Sequence, residues 1–375
     1  MTILSPNSIH IDLSALVHNL KQVKMLLSST TKIMGIVKSD AYGHGLLPVS
    51  KILEEQGVSG LGVAFVHEAL ELKKGGTNLP IFVLCGLQSR DEAEASVCHH
   101  FIPVLSDMTS LRLVNRVALE KKADRVKVHI KVDTGMGRLG LRLEDMEEIL
   151  REVSGYPSIE VEGFMSHFAC ADTPSETFTS EQIVRFKRAI EKGRALGLEL
   201  PLNHIANSAG VLAHKASHFE MVRPGIMLYG GLPCPGFQSE VSLNHVMTFK
   251  GKVIQVRDLP DHTPVSYGRC FYTKGSTRIA VLSGGYGDGV MRGLTNKGRV
   301  LIGGKKRPVI GTVCMNMTMV DVTGMDDIKP GDEVVFMGAQ GDEIITADTI
   351  AQWNETISYE VFCSMGRANR KGYGP

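Results

Sequence analysis

The sequence predicts an α/β fold, a (β/α)8 TIM-type barrel followed by a separate all-β C-terminal domain. Three observations lead there. Short apolar runs alternate with amphipathic stretches eight times between Ile33 and Pro224, and alternation of this kind builds a parallel sheet that can close on itself at eight units. Beyond about Pro235 the texture changes to short β-rich runs separated by glycine, proline and aspartate. Polar residues suited to chemistry stand at the carboxyl ends of the predicted strands, where such barrels carry their active sites.

Taken in order, residues 3–11 alternate and read as an edge strand. Asp12 then caps a helix in which Leu13, Leu16, Val17, Leu20, Val23 and Leu27 recur at helical spacing. The barrel strands are expected at residues 33–37, 61–65, 80–84, 101–105, 126–132, 159–165, 202–205 and 220–223, and helices at 48–55, 68–74, 89–97, 107–121, 144–153, 175–195 and just after Ser208. A doubly wound open sheet is the rival. It would place phosphate-binding glycines after its first strand, and the glycines there, Gly43 and Gly45, only flank His44. The barrel domain should span residues 12–235. The β-rich domain should span 236–375, with strands at 246–256, 277–282, 299–301, 308–313, 318–322 and 333–337, a helical period near 344–354, and residues 1–11 joining it as a strand.

Composition excludes several function classes. A chain of 375 residues with 43% hydrophobic and 22% charged residues suits two globular domains. A net charge of +1 gives no field for nucleic acid or an anionic membrane. No apolar run approaches the roughly 20 residues that span a bilayer, and the N-terminus has no basic region or apolar core of a secretory signal. The seven cysteines are scattered, with no Cys-x-x-Cys pair, and read as reduced thiols of a cytoplasmic protein, not as a metal site. His99-His100 adjoins no ligands at metal spacing. A metal is not expected.

The chemistry collects at one predicted rim. Lys38 ends the first strand, and a lysine in a pocket loses solvation, which lowers its pKa and frees an amine able to form an imine with an aldehyde. Asp133 to Gly140, containing Arg138, follows the fifth strand. Ser166-His167-Phe168 ends the sixth, Asn207-Ser208 follows the seventh, and Arg223-Pro224-Gly225-Ile226 ends the eighth. The loops after strands seven and eight are where barrels often hold phosphate. An imine-forming lysine plus a phosphate cradle points to pyridoxal 5′-phosphate (PLP) as cofactor.

These residues resemble the alanine racemase family, the fold-type III PLP enzymes, over essentially the whole chain. The motifs that carry the resemblance are Val37-Lys38-Ser39-Asp40-Ala41-Tyr42-Gly43-His44-Gly45, Lys131 to Gly140, Val222-Arg223-Pro224-Gly225-Ile226-Met227-Leu228-Tyr229-Gly230, Val265-Ser266-Tyr267-Gly268, Gly285-Tyr286-Gly287-Asp288-Gly289, Val313-Cys314-Met315 and Ile357-Ser358-Tyr359-Glu360. The resemblance implies two-base racemisation of L-alanine and D-alanine, supplying D-alanine for peptidoglycan. Lys38 would be one base and Tyr267, from the partner subunit of a homodimer, the other, with His167 linked to Arg223 supporting it. Arg223 would face the cofactor's ring nitrogen. Arg138 would bind the cofactor's phenolic oxygen and the substrate carboxylate, and Lys131 would be carbamylated and brace it. Tyr42, Asn207, Ser208, Gly225, Ile226 and Tyr359 would hold the cofactor, while the partner's Met315 and Tyr286 line the substrate mouth. One departure stands out: the family usually reads Cys-Met-Asp-Gln where this chain has Cys314-Met315-Asn316-Met317. A racemase of broader specificity is therefore the alternative. A fold-type III decarboxylase and a non-catalytic PLP-binding protein fit less well, the latter lacking a β domain.

Overall fold

The computed structural model describes residues 5–173, 177–238 and 240–374. Parallel strands Lys32–Ile36, Gly60–Val63, Ile81–Val83, Ile102–Leu105, Val126–Asp133 and Ile159–Met165 pair each with the next in chain order. Met221–Val222 pairs with Lys32–Ile36 from the other side. Strands Gly60–Val63, Ile81–Val83 and Ile102–Leu105 are buried along their whole length, as expected where helices cover the outside and side chains fill the inside.

The seventh expected strand, residues 202–205, is reduced to a single parallel bridge between His204 and Met165. Pro201 brings no N–H to its start, and side chains take over part of the ladder: Phe164 N donates to Asn203 Oδ1 at 3.0 Å and Asn203 N to Glu220 Oε2 at 3.1 Å. The backbone still closes the ring. His204 N donates to Phe164 O at 2.9 Å, and Arg223 N donates to Ala206 O at 2.9 Å.

The outer helices are Leu13–Met25, Leu46–Glu55, Val66–Lys74, Arg90–His99, Met108–Glu120, Met146–Ser154 and Phe178–Ala195. Asp12 Oδ1 accepts from Ala15 N at 2.9 Å and caps the first. The expected start of the last one, at Ser175, lies outside the described residues, as do Ile3 and Leu4 of the expected first strand.

The second unit is organised around the long strand Met247–Leu259, which pairs antiparallel with Ser8–Asp12, Thr277–Ser283 and Glu333–Gln340. Ser8–Asp12 takes the last strand, Lys371–Gly374, on its other edge, so both ends of the chain meet in this sheet.

Two expectations here need correction. The apolar run 308–313 is not a strand beyond Pro308. The strand is the charged Lys305–Pro308, paired with Arg299–Ile302. Gly311 at φ +73 ends the extended run, and Val309 keeps only a bridge to Val320. Those apolar residues are buried by packing, with isolated backbone bonds from Val309 N to Gly298 O and Ile310 N to Met319 O, both 2.9 Å, while lysines occupy a sheet edge where they deter further pairing. Nor is the unit all β. Helices Ala347–Asn354 and Ser358–Ala368 belong to it. The second was unforeseen, although Ser358, Val361, Phe362 and Met365 stand at helical spacing and are all buried. Among the described residues no helix is long and apolar enough to cross a membrane, and no cluster of His, Cys, Asp or Glu could hold a metal ion.

Candidate active site

At the end of strand Lys32–Ile36 the chain makes a left-handed turn. Ser39, Asp40, Ala41 and Tyr42 have φ of 56°, 56°, 51° and 54°. For L-residues that conformation costs roughly 1–2 kcal/mol each, and none of the four is glycine, so sequence held no signal for it. Surrounding groups compensate. The buried Glu68 carboxylate accepts from Ser39 N at 2.5 Å, Ala64 N at 2.7 Å and Phe65 N at 3.2 Å. His44 Nδ1 lies 3.0 Å from both Ala41 O and Tyr42 O. Carbonyls only accept, so Nδ1 carries the proton, and burial holds the ring neutral with its pKa pushed down to about 3. Asp40 accepts from Leu46 N at 2.7 Å and pairs with Lys371 Nζ at 2.8 Å. Gly43 is required: φ is +80°, and a Cβ there would stand 2.5 Å from Phe362 O.

Glu68→Ala should therefore lower the unfolding free energy by about 3 kcal/mol, since buried amide donors lose their acceptor at a cost of about 1–3 kcal/mol each. Denaturant titration reads this directly. A change below about 0.5 kcal/mol, the range of ordinary surface substitutions, would mean the turn does not depend on that carboxylate.

The turn delivers Lys38 and Tyr42 to a cavity of about 310 Å³ at the barrel mouth, within the size range of small-ligand pockets. Arg138, His167, Asn207, Ser208, Arg223, Gly225, Ile226 and Tyr359 line the same cavity, with Lys131 and Cys85. A larger cavity of about 590 Å³ opens at the barrel floor, between the first residues of the strands. It holds none of these groups, so size is a poor guide here and the convergence of polar side chains decides.

Each wall has a local cause. Asp133 Oδ1 accepts from Gly135 N at 2.8 Å and Met136 N at 2.8 Å, and both its oxygens take Gly137 N. This folds the loop that carries Arg138. Asn207 Oδ1 accepts from Gly210 N at 3.0 Å and caps the short helix Ser208–Ala213. Ser208 Oγ accepts from Gly225 N at 3.0 Å and Met227 N at 3.4 Å, tying the last two mouth loops together. A Cβ on Gly225 would meet Tyr42 Oη at 2.6 Å, so only glycine lets that hydroxyl approach. The rings of Tyr42 and Tyr359 lie 5.8 Å apart.

The site is strongly cationic. Burial lowers the Lys38 pKa. Burial, then the charges of Arg223 and Arg138, push Lys131 down to about 7. Neither amine, nor Arg138, has a hydrogen-bond or ion-pair partner among the described residues. Arg223 is held by Nη1 to His204 Nδ1 at 2.7 Å, and by Nη2 to Ser166 O at 2.7 Å, Ile205 O at 3.1 Å and His167 Nδ1 at 3.2 Å. Its Nε has no protein partner among the described residues. Unpaired cations, a free amine and hydroxyls at a glycine-lined edge suit an anionic aromatic aldehyde with a phosphate arm.

Three expected residues are not in this cavity. Tyr267, Met315 and Tyr286 are 73%, 57% and 45% exposed. They share one rim of the β domain: Tyr286 N donates to Cys314 O at 3.0 Å, Gly287 N to Met315 O at 2.8 Å, and Thr312 Oγ1 to Tyr267 O at 2.7 Å. Asn316, at the departure from the family pattern, donates to Asp288 Oδ2 at 3.1 Å, which also takes Gly285 N at 3.0 Å. An aspartate at 316 would face that carboxylate instead. Sequence reasoning passed over Glu68 and His204 as organisers of the site, because their roles are bonds to groups distant in the chain, and did not foresee that Asp133 folds its own loop through the amides of Gly135, Met136 and Gly137.

Residues 11–233 match the description "Alanine racemase, N-terminal domain" and residues 246–373 match "Alanine racemase, C-terminal domain". The chain belongs to the alanine racemase family. It is 44% identical over 365 residues to the alanine racemase of Syntrophobacter fumaroxidans, covering 97% of this chain and 96% of that one. The alanine racemase from D-cycloserine-producing Streptomyces lavendulae superposes with a TM-score of 0.94 at 30% identity, covering 100% of this chain and 98% of that one. The alanine racemase of Bartonella henselae, solved with covalently bound pyridoxal phosphate, superposes with a TM-score of 0.89 at 28% identity and full coverage of both chains. The alanine racemase family thus spans both the barrel and the β unit.

Proposed function

We propose that this chain is a PLP-dependent alanine racemase that interconverts L-alanine and D-alanine, supplying D-alanine for peptidoglycan in the cytoplasm. The observation that carries this is the unpaired, desolvated amine of Lys38, held by the left-handed turn in a cationic cavity. PLP, when bound, supplies the aldehyde that takes up an amine and a ring that can accept the electron pair left at an amino acid's Cα. Lys38 holds or moves the proton on one face of Cα and Tyr267 on the other. Two bases on opposite faces are what inversion needs. Arg138 orients the substrate carboxylate. Ser208, Tyr42, Tyr359 and the backbone at Gly225 and Ile226 hold the phosphate, with Asn207 fixing the Ser208 helix. Arg223, which donates but does not give up its proton, would face the ring nitrogen and leave it unprotonated.

Tyr267, Met315 and Tyr286 face outward, and we place them over the cavity of a second copy in a head-to-tail homodimer. The barrel comprises residues 12–235 and the β unit 236–375 with 1–11.

Lys131 is the carbamylated residue in this reading. Its neutral amine attacks the carbon of CO2, loses a proton and gains a carboxylate that neutralises the cations around it. A protonated amine has no lone pair to attack with, so occupancy should rise as pH increases through about 7. With 13C-bicarbonate, a carbamate carbon signal should grow over that range and be missing from Lys131→Ala. A signal that persists in the variant would place the modification elsewhere.

The activity test is direct. Purified protein with PLP and L-alanine in deuterated water should lose optical activity to zero as deuterium enters Cα. An absorption band from the cofactor on Lys38 without loss of rotation would sink alanine as substrate. The broader-specificity reading rests on the Asn316–Asp288 contact. Turnover of serine or lysine within about tenfold of alanine, a difference of only about 1.4 kcal/mol in the barrier, would favour it.

A further inference from the structure

A row of hydrogen bonds crosses the barrel interior, from an exposed ion pair at the floor to buried bonds toward the mouth. At the floor, Lys127 Nζ donates to Glu162 Oε1 at 2.7 Å. Glu162 Oε2 lies 3.3 Å from His129 Nε2, and His129 Nδ1 lies 2.9 Å from His204 Nε2. His204 Nδ1 lies 2.7 Å from Arg223 Nη1. Both imidazoles are fully buried, and the Phe82 ring stands edge-on to them at 5.3 and 6.4 Å.

The direction of every bond follows from one fact. Arginine has five N–H donors and no acceptor, so His204 Nδ1 must accept. A ring with a lone pair there is neutral and carries its proton on Nε2. That N–H donates to His129, whose Nδ1 is therefore bare and whose Nε2–H donates to Glu162. The reverse order would strip His204 of both protons. Burial, which holds both rings below their ordinary pKa, agrees with neutral imidazoles. The same rule makes His167 Nδ1 an acceptor of Arg223 Nη2 and leaves its proton on Nε2.

We propose that Glu162 and His129, at the far end of the barrel from the chemistry, are positioning residues for Arg223. The Glu162 carboxylate selects the tautomer of His129, which selects that of His204, which gives the buried guanidinium an acceptor at Nη1. Among the described residues Arg223 pairs with no carboxylate itself; along this chain of bonds the first one is Glu162, two rings away. Without it, the His129 N–H loses its acceptor, the tautomers are held from the Arg223 end alone, and a His204 protonated at Nδ1, which would turn a donor toward Arg223, becomes accessible. Arg223, which lines the cavity, would then swing its guanidinium. The functional consequence rests on the reading of Arg223 above, but the tautomers do not.

The test has two parts. In 15N-histidine-labelled wild-type protein, without substrate, nitrogen shifts should show His129 and His204 both protonated on Nε2 and bare at Nδ1. A proton on His204 Nδ1 would overturn the proposal whatever the enzyme's activity. In Glu162→Ala, the His204 resonances should move to mixed tautomers, the absorption band of the PLP-loaded protein should shift, and kcat for alanine should fall about 10- to 100-fold, the penalty for a group displaced by about an ångström, with KM changed less than threefold. Glu162→Gln, which can still accept from His129, should restore the tautomers and most of kcat. Unchanged His204 shifts and kcat in Glu162→Ala would remove the role. So would equal loss in Glu162→Gln with wild-type tautomers. Failure of racemisation in wild type, with the tautomers as stated, would count against the proposed activity and not against this arrangement.

Discussion

Lys38→Ala is expected to abolish racemisation, with kcat down by roughly 10⁴-fold or more, because one substitution removes both the attachment point for the cofactor and a proton-transfer group, the latter alone worth about 10²–10⁴-fold. The absorption band of the cofactor on the lysine should vanish with it, and deuterium should no longer enter Cα. The structure supports an effect of this size. Lys38 is desolvated, has no competing partner among the described residues, and is aimed by a turn whose left-handed backbone is held by Glu68, His44 and the Asp40–Lys371 pair. No other amine in the cavity could stand in for it easily: Lys131 sits deeper, on strand Val126–Asp133, at 6% exposure. Residual activity within tenfold of wild type would mean that the turn serves another purpose.

Tyr267→Phe should reduce turnover of L-alanine about 10²–10⁴-fold, the usual range for loss of a proton-transfer group, while leaving the cofactor band intact. The two effects are then separable: one variant loses the cofactor signature, the other keeps it. Because Tyr267 stands exposed on a rim outside its own chain's cavity, the pair also tests the dimer. When Lys38→Ala and Tyr267→Phe chains are unfolded and refolded together in equal amounts, about half of random two-fold dimers are mixed. Each mixed dimer has one site with both wild-type groups, so activity should recover to about a quarter of wild type. No recovery would place Lys38 and Tyr267 of the same chain in one site and remove the head-to-tail arrangement.

Much of this was legible in the residues alone. The alternation of apolar runs and helical spacing located seven of the eight expected barrel strands to within one or two residues, since strands covered on both faces are built mainly of apolar residues. The loops after them announced the mouth, and Lys38, Arg138, His167, Ser208 and Arg223 do line a single cavity. Where the reading failed, bonds between distant segments had overridden local pattern. Residues 308–313 are apolar because they are packed, yet the ladder belongs to Lys305–Pro308. Residues 202–205 were read as a full strand, yet side chains of Asn203 and Glu220 replace part of its pairing.

The amino-acid sequence by itself determined the barrel, the β unit, the chemical inventory of the mouth and the family. These depend on periodicity and on residue types at strand ends, which are properties of neighbours in the chain. Only the tertiary structure decided how that inventory is held. Four non-glycine residues stay left-handed because Glu68, twenty-nine positions from Ser39, binds their first amide. Arg223 is fixed through two histidines from other strands to a carboxylate at the opposite end of the barrel. Tyr267 stands exposed and outside the cavity of its own chain. Each of these is a relation between groups far apart in sequence, set by packing geometry, for which no local pattern of residues carries a mark.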